Sequence, residues 1–166
     1  MVIWLIGMSG AGKTVIGKEV CELLKAKKSN VIFLDGDIIR EIMGNDLGHS
    51  IDDRRKNAGR ICRLCQYLDS QGIDVVCAVL SIFPESQRWN RDNIPHYFEV
   101  YLHVPFSVLL ERDAKGIYRR ALSGEITNVA GVDIGFREPA NPDLIIENDA
   151  PVESFTGIAT RIIDAI

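Results

Sequence analysis

The sequence predicts an α/β fold: a doubly wound, mainly parallel five-stranded sheet with helices on both faces. Three observations carry that expectation. Five short, almost wholly apolar runs recur along the 166 residues, segments with helical apolar spacing stand between them, and a glycine-rich octet follows the first run directly. Strands that are apolar on both sides are covered on both sides, and strands that alternate with helices pair in parallel.

The first run, VIWLI at 2–6, reads as a buried strand, and GMSGAGKT at 7–14 follows it. A strand that ends in glycines leaves backbone N–H groups free, and the next helix aims its positive dipole end at the same place. The pattern G-x-x-x-x-G-K-T is that of a phosphate-binding loop, which makes the fold a P-loop NTPase-type one. Gly7, Gly10 and Gly12 let the backbone wrap phosphate oxygens, Lys13 bridges the β and γ phosphates, and Thr14 places its hydroxyl on Mg²⁺. Ser9, Ala11 and Val15 complete the loop and the first helical turn as expected ATP contacts, joined by Arg112 from a later segment. Val15, Ile16, Val20, Leu23 and Leu24 then recur at helical spacing over 13–28.

The second strand, 30–35, ends in FLDGDIIR. Asp35 and Asp37, at a strand terminus beside a phosphate loop, suit Mg²⁺ or a proton accepted from an attacking hydroxyl. The alternative is that one of them caps a helix starting at Ile38. Arg40, one turn later, sits over the same pocket. In NDLGHSIDDRRKNAGRICRL, Ser50 or Asp52 caps a helix over 53–70 on which Arg54, Asn57 and Arg60 share a side. That side reads as a grip on an anionic substrate or as a solvated charged face. Cys62 and Cys65 form a C-x-x-C with no second ligand pair, so they belong to the apolar face of the same helix. Further strands are expected at 74–81, 98–104 and 143–148, with helices at 86–93, 106–112 and 151–165. Between the last two strands, ERDAKGIYRRALSGEI, with Arg112, Lys115, Arg119 and Arg120, reads as a basic lid over transferring phosphate or as a solvated helix face.

Length favours one domain over residues 1–166, and the net charge of −4 argues against general affinity for nucleic acid or anionic membranes. No apolar stretch reaches the roughly 18 residues of a membrane span, and the start lacks the features of a signal peptide. A reducing cytoplasm is the expected location, with Cys21, Cys62, Cys65 and Cys77 as buried free thiols.

These segments together resemble one family, adenylylsulfate kinase, which uses MgATP to phosphorylate the 3′-hydroxyl of adenosine 5′-phosphosulfate. The similarity runs through GMSGAGKT, DGDIIR, NDLGHSIDDRRKN, Ser81 at the end of the third strand, ERDAKGIYRRALSGEI and GVDIGFREPANPDL. The phosphate loop is shared by many enzymes, whereas D-G-D-x-x-R, D-L-G-x-S-x-x-D-R-x-x-N and R-D-x-K-G-x-Y together are specific to this family. The resemblance implies ATP and Mg²⁺ as cofactors, a small-molecule nucleotide acceptor, and the homodimers common in the family. It implies Asp37 as the base beside the acceptor hydroxyl and Asp35 as a Mg²⁺ or network carboxylate. Arg40, Arg54 and Asn57 match acceptor contacts, Ile82 a backbone contact to the acceptor base, Lys115 the lid lysine, and Ser81 a serine that some members phosphorylate.

Two departures stand out. The family sandwiches the acceptor adenine between phenylalanines in D-L-G-F-S and F-T-G-I, and these positions are His49 and Val129 here. Stacking on one aromatic face is worth about 1–3 kcal/mol. The phosphoryl-transfer half is kept while the base-binding half is rebuilt, which leans the expectation toward the family's offshoot that phosphorylates cytidine diphosphoramidate. True adenylylsulfate kinase activity is the alternative. A nucleotide-binding regulator using the same loop is a remoter one, opposed by the lack of N-K-x-D and by basic segments that would hold no acceptor.

Overall fold

The structure, a computed structural model, describes residues 1–113, 115–149 and 154–166. Its elements in order are β1 (Val2–Ile6), α1 (Lys13–Lys25), β2 (Val31–Asp35), α2 (Gly36–Ile42), α3 (Ile51–Ser70), β3 (Asp74–Val79), α4 (Pro84–Asn93), β4 (Tyr97–His103), α5 (Phe106–Glu111), α6 (Ile117–Leu122), β5 (Leu144–Glu147) and α7 (Phe155–Asp164). The five strands form one sheet in the order β2-β3-β1-β4-β5, and every pairing is parallel.

Alternation along β1 divides the interior into two cores. Ile3 and Leu5 pack with Val20 and Leu24 of α1 and with Ile158 and Ile162 of α7. Val2, Trp4 and Ile6 point the other way, onto Ile39 of α2 and Ile61 and Cys65 of α3. Burying a side chain of this size contributes about 1.5–3 kcal/mol, so a strand apolar at all five positions is stable only with both faces covered. The chain passes from β1 to β2, returns to β3 and crosses to β4 on the other side of β1. That reversal opens a crevice at the carboxyl end of β1, where the glycine-rich octet lies.

The differences from the sequence reading have local causes. The strand expected to reach 81 ends at Val79, because Ser81 turns into a left-handed backbone with φ of 51°. Helix α2 starts at Gly36 rather than Ile38, with Asp35 as its cap, and α3 starts at Ile51 under a Ser50 cap. Six residues of the basic segment form α6. Ala114 in that segment, and 151–153 of the helix expected over 151–165, lie outside the described residues. All four cysteines are buried and free, and Cys62 and Cys65 face the core from α3. Burial pushes the Cys62 thiol up to about 12, which disfavours thiolate chemistry there. Among the described residues no helix is long and apolar enough to cross a membrane.

Candidate active site

The octet leaves β1 without slack. A β carbon on Gly7 would lie 3.0 Å from the Leu102 carbonyl, and Gly12 takes a φ of 88°, which glycine alone adopts freely. Lys13 folds back so that Nζ donates to the Met8 carbonyl at 2.8 Å. The residue retains some exposure, but burial of its ammonium lowers the pKa to about 8, against the pull of Asp35 and Asp37 and with a further push from Lys115. Thr14 Oγ1 donates to Asp35 Oδ2 at 2.8 Å, while Asp35 Oδ1 accepts from the Asp37 N–H at 2.9 Å. Asp35 therefore caps α2 and keeps an oxygen beside Thr14. A hydroxyl and a carboxylate so placed fit the sparse protein ligation that Mg²⁺ uses alongside substrate phosphates. Among the described residues no group of three or more His, Cys, Asp or Glu side chains is arranged to hold a metal by itself.

On the other side of the crevice two arginines hold loop carbonyls. Buried Arg40 donates from Nη1 to Gly48 at 2.8 Å. Arg54 donates from Nε to His49 at 2.9 Å and from Nη2 to Asn128 at 2.7 Å. Asn57 Nδ2 donates to the Gly36 carbonyl at 3.3 Å, leaving buried Oδ1 without a protein partner among the described residues. Ser81 Oγ accepts from Trp4 Nε1 at 3.0 Å, and Gln87 Nε2 donates to the Ser81 carbonyl at 2.9 Å. Arg60 turns away to pair with Asp46 at 2.6 Å, so it stands apart from the Arg54–Asn57 side of its helix.

Most of the sequence candidates converge on one cleft of about 560 Å³. Ser9, Gly10, Gly12, Lys13, Thr14 and Val15 form its floor; Asp35, Asp37, His49, Arg54 and Val129 form one wall; Arg112 and Lys115 form the other. A smaller cavity of about 80 Å³ shares Asp37 and Arg54 with it and adds Arg40, Asn57, Ser81 and Ile82. Gly7 and Ala11, expected to contact ATP, line neither cavity. Both pack behind the loop, where the fully buried Ala11 offers its carbonyl to Asn148 Nδ2 at 3.1 Å. Neither clamp position carries a phenylalanine: one holds the smaller imidazole of His49 and the other an aliphatic valine. Val129 is 7 % exposed and belongs to the core. His49 is exposed on the cleft, with its pKa lowered by desolvation and by Arg54 and Arg40, so its imidazole is neutral at pH 7.

Two residues to which the sequence reading gave no role anchor the loop. Tyr118 of α6, 1 % exposed, donates from Oη to the Ser9 carbonyl at 2.8 Å. Asn148 at the end of β5 reaches Ala11 with its side chain, while its own carbonyl accepts from Arg112 Nη1 at 2.8 Å. The basic segment is thus fastened to the phosphate loop through α6, with Lys115 exposed beside it. Apolar Ile117, Tyr118 and Ala121 among the cations were a readable sign of a packed helix; nothing local marked Asn148.

The family model described as adenylylsulphate kinase matches residues 1–147. The chain belongs to the adenylylsulfate kinase family. Within it, a cytidine diphosphoramidate kinase of Campylobacter jejuni is 42 % identical over 153 residues, spanning 89 % of this chain and 85 % of the relative. An adenylyl-sulfate kinase of Halothermothrix orenii is 35 % identical over 164 residues, 99 % of this chain and 88 % of the relative. The solved APS kinase of Mycobacterium tuberculosis, in complex with AMPPNP and APS, superposes with a TM-score of 0.89 at 33 % identity, over 99 % of this chain and 95 % of that one. This adenylylsulfate kinase family member is therefore an ATP-binding phosphotransferase that acts on a small nucleotide through an alcohol group. The regulator reading falls away, since the relatives are kinases.

Proposed function

We propose that this protein transfers the γ-phosphate of MgATP to the 3′-hydroxyl of a cytidine diphosphate conjugate, of which cytidine diphosphoramidate is the type, and that it does so in the cytoplasm as one catalytic domain. The observation that carries the proposal is the cleft lined by Lys13, Thr14, Asp35 and Asp37 together with His49 and Val129, which stand in place of the family's two phenylalanines. The 42 % identity to a cytidine diphosphoramidate kinase supports the choice of base.

In this reading the loop N–H groups and the start of α1 bind the ATP phosphates, and Lys13 offsets charge on the transferred group. Thr14 and Asp35 would hold Mg²⁺, which would supply positive charge against the phosphates of ATP. Asp37 orients the ribose hydroxyl and takes its proton. Arg40 and Arg54 face the acceptor's anionic end, with Asn57 beside them, and Lys115 and Arg112 close the cleft from the ATP side. A pyrimidine presents less surface than adenine and needs less aromatic contact, and neutral His49 offers it a ring edge and a hydrogen bond.

A second reading, adenylylsulfate kinase proper, is favoured by the overlap with the Mycobacterium tuberculosis enzyme along nearly the whole chain. Incubation of cytidine diphosphoramidate with MgATP tests the first. A product heavier by one phosphate, lost when the 3′-hydroxyl is replaced by hydrogen, is expected. Equal labelling of the 3′-deoxy analogue would overturn the proposed acceptor atom.

A further inference from the structure

Asp133 lies outside the phosphate loop, outside both cavities, and outside every segment to which a role has been given above. Both of its carboxylate oxygens nevertheless accept backbone hydrogen bonds. Oδ2 accepts from the Asn128 N–H at 2.5 Å and Oδ1 from the Val129 N–H at 2.6 Å. Asn128 has a φ of 65°, a left-handed conformation that costs any residue with a β carbon and is tolerated best by asparagine. A carboxylate bound by two consecutive N–H groups fixes the peptide planes on both sides of that residue. The Asn128 carbonyl is thereby aimed at Arg54, whose Nη2 donates to it at 2.7 Å. The Nε of the same guanidinium is taken by His49 at 2.9 Å. Two loops far apart in sequence thus fix the plane of one arginine that lines both cavities.

We infer that Asp133 is a positioning residue for acceptor binding: it sets the 128–129 turn, and the turn sets the plane of Arg54. Left with one carbonyl, a long arginine recovers rotamers about its side-chain torsions and presents its fork to an anion only part of the time. The carboxylate itself touches no reacting group, and its effect passes entirely through Arg54. The inference rests on the reading of this cleft as the acceptor site.

The test compares Asp133→Ala and Asp133→Asn with the wild-type enzyme in two measurements. The first needs no acceptor: the Arg54 Nε–H signal, assigned by its loss in Arg54→Lys, is followed for hydrogen exchange. Faster exchange in Asp133→Ala is expected, and unchanged exchange would overturn the inference whatever the true substrate is. The second is steady-state kinetics with whichever nucleotide conjugate the wild type turns over. KM for that acceptor should rise roughly tenfold, the loss of one charge-assisted hydrogen-bond pair, with KM for ATP altered less than about twofold. Asp133→Asn, which keeps one acceptor oxygen, should lie between the two enzymes. Asp133→Ala placed on Arg54→Ala should add nothing further. A parallel rise in both KM values, or losses that multiply in the double variant, would show Asp133 to be a general structural support instead.

Discussion

At the scale of single residues, Lys13 ties chemistry to burial most closely. Its ammonium sits at about 8 because the protein strips water from it more than Asp35 and Asp37 compensate. Bound phosphate favours the charged form, so ATP affinity should be level below about pH 7 and fall by up to about tenfold per pH unit above pH 8, until the pKa of the bound state is reached. Calorimetric titration at several pH values measures this, and affinity that rises with pH would contradict it. Lys13→Ala should cut kcat by roughly 10²-fold or more with the thermal transition retained. Asp37→Asn should lower kcat by roughly 10²–10⁴-fold with little change in ATP binding, since only the hydroxyl proton depends on it. That Lys13, Thr14 and the two aspartates share one cleft was legible, because a glycine-rich loop and a polar strand end lie at the same edge of a parallel sheet. That Asp35 caps α2 while it accepts from Thr14 was not, because capping and metal ligation call for the same residue at the same place. Ser81 was named from its position at a strand end, and its buried bond with Trp4 at 3.0 Å depends on a residue 77 positions away that no local pattern could supply.

At the scale of elements, the phosphate loop is held from behind by parts of the chain that lie far from it in sequence. Asn148 is 5 % exposed and gives its amide to Ala11. Asn148→Ala would strand that carbonyl in the interior and should cost about 1–3 kcal/mol of stability, read as a lower denaturation midpoint with an unchanged slope. Tyr118→Phe removes only the hydroxyl that α6 gives to Ser9. It should cost about 0.5–1.5 kcal/mol and raise KM for ATP, whereas an unchanged KM would mean that α6 does not support the loop. The strands were legible because each is short and mostly apolar. Helix α2 was placed two residues late, since Gly36 and Asp37 read as loop residues until the Asp35 cap is seen to start the helix before them. Helix α6 lies in a run of cations that read either as a lid or as a solvated helix face, and the one buried tyrosine that packs it decides for a helix fixed against the loop.

At the scale of the whole molecule, an acidic protein with a net charge of −4 gathers Lys13, Arg40, Arg54, Arg112 and Lys115 about one crevice, so anion recognition is local to the cleft. The doubly wound order places that crevice at the reversal beside β1, with the phosphate loop on one wall and the acceptor loops on the other. Fold and reaction class follow from elements visible in the sequence. In the proposed reading acceptor identity hangs on what fills two positions, where His49 and Val129 differ from the phenylalanines of the resembling motif in size and polarity. The most direct test of this division is a competition assay in which cytidine diphosphoramidate and adenosine 5′-phosphosulfate share one pool of enzyme and MgATP. A kcat/KM ratio of roughly 10²-fold or more in favour of the cytidine conjugate is predicted, as the replacement of one phenylalanine face by valine and of the other by a smaller imidazole implies. A ratio that favours the adenylyl substrate would contradict it and return the protein to sulfate activation.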